Sequence, residues 1–397
     1  MSLLSSVKES PLCVMVLSMT FLISGIIVIL LQLLTLFLVY PFSKSLYQVI
    51  VCKIIYMHWA QMVWLCDHWS GTETRLVADK KFLEFVGTEH AVITANHKED
   101  VDWLAVWALA DRFGILKNAK CLMKNDLKYV PLVGWSFSML EMIFVKRDFT
   151  KDKKNMIAGF RSYITYPIHC MILMFCEGTR FTPEKHAKGI AFAKEKGLPE
   201  LKHHLTPRTK GFVVAMEAFD GKVPAIYDLT FAVSKSEYEP TMLNIMRGKK
   251  FIFNFHAKRI PIEDVPKDEE GQVKFIHDLY KEKDMLYEHF VQHETFEGCN
   301  HRKTIPFPSK WSPIFVEVFW LSFLGFPALY HLITVLTTGS LLASATALGV
   351  VLALYILSKF MIGATMTSKG STYGGNKHRT NGTSTAASEA TSASKKD

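Results

Sequence analysis

The chain has 397 residues, 49% of them hydrophobic and 21% charged, including 28 Phe, 13 Tyr and 8 Trp. That is enough apolar surface for a large core, which excludes a mostly disordered chain, and too little charge for a freely soluble enzyme. Its 7 scattered cysteines contain no Cys-x-x-Cys pair, against a disulfide framework or a cysteine zinc site, and its net charge of +9 suits anionic lipid or a phosphorylated substrate.

From Leu12 to Tyr40 no residue is charged, and about 20 such residues suffice to cross a bilayer's hydrocarbon core. A cleaved signal peptide would have a shorter apolar region and a small-residue cleavage site. This run ends in Tyr40-Pro41-Phe42, so it reads as a retained anchor. Leu46 to Trp69 is rich in aromatics yet carries Lys53, His58, Asp67 and His68, a pattern that predicts an interfacial amphipathic helix rather than a second full span. Residues 1–70 are thus expected to form an anchor and an interfacial helix.

Residues 71–308 alternate between short apolar runs and helical patterns. Ala91-Val92-Ile93-Thr94 predicts a buried strand, and Val101 to Arg112 a helix closed by Gly114. Strand-like runs recur at Lys120–Met123, Met142–Val145, His169–Phe175, Val223–Val233 and Lys250–His256, with helices over Asp152–Tyr166 and Pro183–Lys196. For the last helix Thr182 supplies the N-cap, Pro183 the first position and Gly197 the end. Strands alternating with helices predict an α/β domain on a mostly parallel sheet, whose active site gathers where strand ends pass into helices.

Val318 to Ser358 again has no Lys, Arg, Asp or Glu, and Thr337-Thr338-Gly339-Ser340 breaks it near the middle. Residues 309–364 are therefore expected to form a transmembrane hairpin of two helices. Residues 365–397 read as a disordered polar tail, whose Lys369, Lys377, Arg379, Lys395 and Lys396 outweigh Glu389 and Asp397 and so favour a cytosolic position. On that side the sequon at Asn381 would be silent.

Two strand ends carry unusual chemistry. After Ala91–Thr94 comes Asn96-His97-Lys98-Glu99-Asp100-Val101-Asp102-Trp103. Residues five apart on a continuous helix point about 140° apart, so His97 can meet Asp102 only if it precedes the helix and the loop folds back. A carboxylate on one imidazole nitrogen would then leave the other as a general base for a hydroxyl attacking an acyl carbonyl. Asp100 is the local competitor for that role. After Phe175 comes Cys176-Glu177-Gly178-Thr179-Arg180, where a glycine loop exposes backbone N–H groups and Arg180 offers a planar fork matched to phosphate, unless that arginine simply pairs with Glu177. Lys146-Arg147 ends a third strand at the same sheet edge.

Asn96, His97 and Asp102, Phe144 with Arg147, Glu177 to Arg180, and the segment Leu205-Thr206-Pro207-Arg208-Thr209-Lys210-Gly211-Phe212, in that order, resemble the 1-acylglycerol-3-phosphate acyltransferases. The Pro-Arg-Thr-Lys-Gly-Phe form and the apolar C-terminal pair look most like their gamma/delta animal branch. The resemblance implies transfer of a fatty acyl group from acyl-CoA to the sn-2 hydroxyl of lysophosphatidic acid, giving phosphatidic acid. It implies His97 as base and Asp102 as its orienter. Asn96, Arg147, Glu177, Gly178, Thr179, Arg180 and Pro207 would hold the acceptor, with no metal and no cofactor beyond acyl-CoA as co-substrate. The partners it implies are acyl-CoA, lysophosphatidic acid and the bilayer, without nucleic acid. The expected location is the endoplasmic reticulum membrane, multi-pass, with the catalytic domain facing the cytosol. The alternatives are an acyltransferase for another lysophospholipid and a catalytically silent membrane lipid-binding protein.

Overall fold

Ser10 caps the first long helix by accepting the Cys13 amide, and Pro11 occupies its first turn, where an intrahelical donor is not needed. The computed structural model describes residues 3–130, 132–146, 148–299 and 304–365. In it a short α1 (Leu3–Glu9) leads into α2 (Pro11–Leu38), and a turn capped by Ser43 returns the chain as α3 (Lys44–Trp64), which continues as a π-helical turn to Trp69.

α3 is half-buried between α2 and the domain rather than laid on a surface, and with its π turn it is itself long and apolar enough to cross a bilayer. Two of the four polar residues that suggested an interfacial helix turn inward, while Lys53 stays exposed. His58 meets Ser24 of α2, and Asp67 pairs with the buried guanidinium of Arg112 at 2.9 Å.

The domain follows as β1 (Glu73–Ala78), α4 (Lys80–Phe85), β2 (Ala91–Ala95), α5 (Asp102–Arg112), β3 (Ala119–Lys124), α6 (Val133–Met139), β4 (Ile143–Val145), α7 (Phe149–Ile164) and β5 (Met171–Phe175). α8 (Pro183–Lys196) keeps its predicted bounds, because Thr182 accepts the Lys185 amide and Gly197 adopts the left-handed φ of 64° that ends it. Then come α9 (Lys210–Phe219), β6 (Ala225–Val233), α10 (Met242–Met246), β7 (Ile252–Pro261), α11 (Glu269–His293) and β8 (Ile305–Pro306).

The strands form one sheet in the order β4-β3-β5-β2-β6-β7-β1-β8, parallel except for the β6/β7 and β1/β8 pairs, so the expected mostly parallel sheet is present. Every residue of β2 is buried and so is all of β6 up to Ala232, as strands covered on both faces require. α5 packs on α3, while α7, α9 and α11 pack on one another in series.

The C-terminal pair appears as α12 (Ser312–Thr338) and α13 (Leu341–Thr365), separated at Gly339, which takes φ 62°. The two helices lean on the N-terminal pair: α12 runs along α3, with Trp320 Nε1 donating to the Met57 carbonyl at 2.6 Å, and α13 lies along α2. α2, α3, α12 and α13 are each long and apolar enough to span a membrane. The polar tail beyond Thr365 lies outside the described residues.

Candidate active site

β2 and β5 pair in parallel with Ala95 opposite Phe175, so the loops leaving the two strands start side by side. α5 begins at Asp102, which leaves His97 in the loop before it, as their pairing requires. His97 Nδ1 lies 2.7 Å from Asp102 Oδ2. Asp102 is only 1% exposed, whereas His97 stacks on Phe175 with ring centroids 4.2 Å apart and lines a large cavity. A carboxylate accepting from Nδ1–H fixes the tautomer whose basic lone pair is on Nε2, the nitrogen needed by a general base.

Asp100 takes no part in this pair. It accepts a hydrogen bond from Arg180 at 2.6 Å, so the arginine's carboxylate partner here is Asp100 and not Glu177. Glu177 instead accepts two backbone amides, from His97 at 2.9 Å and from Leu205 at 3.2 Å. Burial pushes its carboxyl up to about 8, against the two N–H donors, which pull the other way. Glu177 therefore fixes the backbone of the loop that carries His97. Asn96 is engaged in the same manner: its amide donates to the Phe231 carbonyl at 2.9 Å and accepts the Phe231 amide at 2.7 Å, fastening the end of β2 to β6. Both side chains clamp backbone, and Glu177, expected to contact substrate, also lines the cavity.

Gly178 has φ 69°, and a Cβ there would fall 2.9 Å from Arg208 Cδ. Glycine thus lets Arg208 cross the loop, and the Arg208 amide donates to the Cys176 carbonyl at 2.7 Å. Pro207, Arg208, Gly178, Thr179 and Arg180 consequently share one wall of the cavity. Lys185 adds a cation that no motif marks: it donates to Thr179 Oγ1 at 2.8 Å and to the Arg180 carbonyl at 3.3 Å. Arg147, expected at this edge, lies outside the described residues.

α11 supports the site from beneath. Its fully buried Lys283 pairs with Asp228 of β6 and donates to the Leu229 carbonyl at 2.6 Å, while the Thr94 hydroxyl donates to the same carboxylate at 2.9 Å. One residue further on, Asp284 accepts the amides of Lys202 and His203 and meets His204 Nδ1 at 2.9 Å, which docks the segment leading to Pro207. Burial lowers His204 to about 4, against the pull of the Asp284 carboxylate. Burial also pushes the Cys176 thiol up to about 12, so the cysteine closest in sequence to the loop is no nucleophile.

The cavity holds about 1500 Å³, above the roughly 300–1,000 Å³ usual for small-molecule pockets. His97, Arg180 and Arg208 line one part of it, and Trp103 and Trp107 line it toward α2 and α3. A charged wall and an apolar body suit an amphiphile with a phosphate at one end. Among the described residues no three His, Cys, Asp or Glu side chains converge as a metal site requires.

Comparison with known proteins adds a family context. The acyltransferase family model matches residues 77–234, and an acyltransferase C-terminus model matches residues 244–320. The 1-acyl-sn-glycerol-3-phosphate acyltransferase gamma of Homo sapiens is 38% identical over 374 residues, covering 94% of this chain and 98% of that protein. The delta forms of Mus musculus and Homo sapiens are 38% and 36% identical over 377 and 374 residues, each covering 94% of this chain and 97% of the relative.

Proposed function

The chain belongs to the 1-acyl-sn-glycerol-3-phosphate acyltransferase family, and from that premise we propose that it transfers a fatty acyl group from acyl-CoA to the sn-2 hydroxyl of lysophosphatidic acid. His97 Nε2 takes the hydroxyl proton as the oxygen attacks the thioester carbonyl. The tetrahedral intermediate then expels the CoA thiolate, which receives the proton back from His97, leaving phosphatidic acid and CoA. Asp102 stabilises the imidazolium between these steps. The observation that carries this reading is the 2.7 Å contact of His97 with Asp102 beside a wall that holds Arg180.

Arg180, Thr179 and the Gly178 loop bind the acceptor's phosphate, and Lys185 and Arg208 add positive charge to the same wall. A thioester is already activated, so the reaction calls for no metal and no resident cofactor. We also place the protein in the endoplasmic reticulum membrane with its catalytic domain on the cytosolic side, a reading supported by the basic residues that follow the first span and by the basic tail. Protease protection in sealed microsomes, with a C-terminal tag removed from outside, tests that orientation; glycosylation at Asn381 in cells contradicts it.

The acceptor assignment is tested with purified full-length protein in detergent, one labelled acyl-CoA and a panel of acceptors. Lysophosphatidic acid should give the highest kcat/KM. A preference for a lysophospholipid with a larger head group, or for a phosphate-free monoacylglycerol, would overturn it.

A further inference from the structure

The end of the cavity enclosed by the membrane helices carries polar chemistry that acyl transfer does not use. His58 Nδ1 on α3 lies 3.2 Å from Ser24 Oγ on α2 and 3.3 Å from Gln61 Nε2, and Gln61 donates to Ser24 at 2.8 Å. Phe21 stacks on the imidazole, centroids 4.0 Å apart, and a Cβ on Gly25 would come within 3.1 Å of the ring. α12 runs antiparallel to α3, with the Lys310 carbonyl 2.9 Å from His68 Nε2 just before it and Trp320 held at Met57, which brings Glu317, one turn before Trp320, to the level of His58 and Gln61.

Interhelical hydrogen bonding accounts for Ser24, His58 and Gln61. It leaves Glu317 unexplained. That side chain is 3% exposed, lines the cavity, and forms no hydrogen bond or ion pair with any described residue. A buried carboxyl group without a partner is costly and needs a reason to be there.

The path from the catalytic pair to this cluster is marked by rings. Trp103 follows Asp102 and meets Trp107 edge-on at 5.1 Å, and Trp107 stacks on Trp59 of α3 at 4.5 Å. All three tryptophans line the cavity, and His58 adjoins the last of them. The one cavity thus connects His97 to the polar cluster, and an acyl chain with its carbonyl at His97 would lie along this ladder.

We propose, on the basis of the acyltransferase reading above, that Glu317 and His58 form a polar stop at the membrane end of the acyl cavity. A methyl end pressed against them desolvates a carboxyl and an imidazole and returns no hydrogen bond. A chain ended by a hydroxyl returns one. The stop therefore disfavours long saturated chains and favours chains oxygenated at the far end.

Two arms test this with the full-length protein in detergent. Photolabelling with an acyl-CoA bearing a terminal diazirine should place the adduct on peptides containing Glu317 or His58; adducts confined to other segments overturn the proposal. In the second arm, saturated acyl-CoAs of increasing length are compared with lysophosphatidic acid as acceptor. Glu317→Leu should raise kcat/KM for the longest chain relative to the shortest by about tenfold, the order expected when an unpartnered buried polar group is removed. It should also erase any advantage of a terminally hydroxylated chain, whereas Glu317→Gln should keep the original profile. An unchanged chain-length ratio in Glu317→Leu refutes the stop. Labelling at Glu317 without acylation of lysophosphatidic acid refutes the acceptor assignment and leaves the stop standing.

Discussion

The Asp100 carboxylate reaches Arg180 at 2.6 Å from a loop eighty residues earlier in the chain, and this pair divides the labour of two neighbouring aspartates. In the proposed mechanism Asp100 holds the arginine assigned to the phosphate, and Asp102 holds the histidine assigned as base. The two carboxylates, two residues apart, serve different loops because α5 begins between them.

That division predicts different kinetics for two similar substitutions. Asp100→Asn loosens Arg180 without touching His97, so KM for lysophosphatidic acid should rise severalfold while kcat changes little. A larger effect on kcat than on acceptor KM would contradict the assignment.

Asp102→Asn should act on turnover. An amide cannot stabilise the imidazolium and can fix the wrong tautomer, so kcat should fall by about two to four orders of magnitude with acceptor KM nearly constant. Steady-state kinetics of the two variants side by side measure the contrast.

Gly178→Ala should impair the phosphate wall while the fold survives. A side chain at φ 69° costs about 1–2 kcal/mol, and its Cβ would press on Arg208. We expect near-normal thermal unfolding, to within a few degrees, and a marked rise in acceptor KM. Wild-type KM in this variant would show that Arg208 does not need its path across the loop.

The docking of the Pro207 segment on α11 should titrate. His204 is lowered from 6.5 to about 4, so in the folded protein it stays neutral where the unfolded chain binds a proton. Its contribution is fully present above pH 6.5 and is lost as pH falls toward 4, by on the order of 3 kcal/mol in total. Thermal stability should therefore fall as pH drops across that window, and His204→Gln should flatten the slope. The same slope in the variant would assign the titration elsewhere.

Much of this was legible in the sequence because it is local. The capping residues of α8 are contiguous, the apolar runs of β2 and β5 are unbroken, and the His97–Asp102 spacing carries its own geometric condition. β1 and α11 escaped notice for opposite reasons. β1 carries exposed Glu73 and Arg75 within a charged segment, and α11 shows charge all round because Lys283 and Asp284 face the protein while Glu270, Lys274 and Lys281 face water. The roles of Asn96, Glu177 and Lys185 depend on partners brought in by the fold, Phe231, Leu205 and Thr179, and spacing alone does not announce such contacts. α3 was misjudged as a surface helix because polar residues on an apolar helix look the same in sequence whether they meet water or one another.

The central claim is that His97 is the base for acyl transfer to lysophosphatidic acid. Its most direct test is the initial rate of labelled phosphatidic acid formation from acyl-CoA by purified native protein and by His97→Ala, matched for folded protein in the same detergent. The account predicts robust synthesis by the native chain and a loss of about two to four orders of magnitude in the variant. A His97→Ala protein that makes phosphatidic acid at close to the native rate would contradict it.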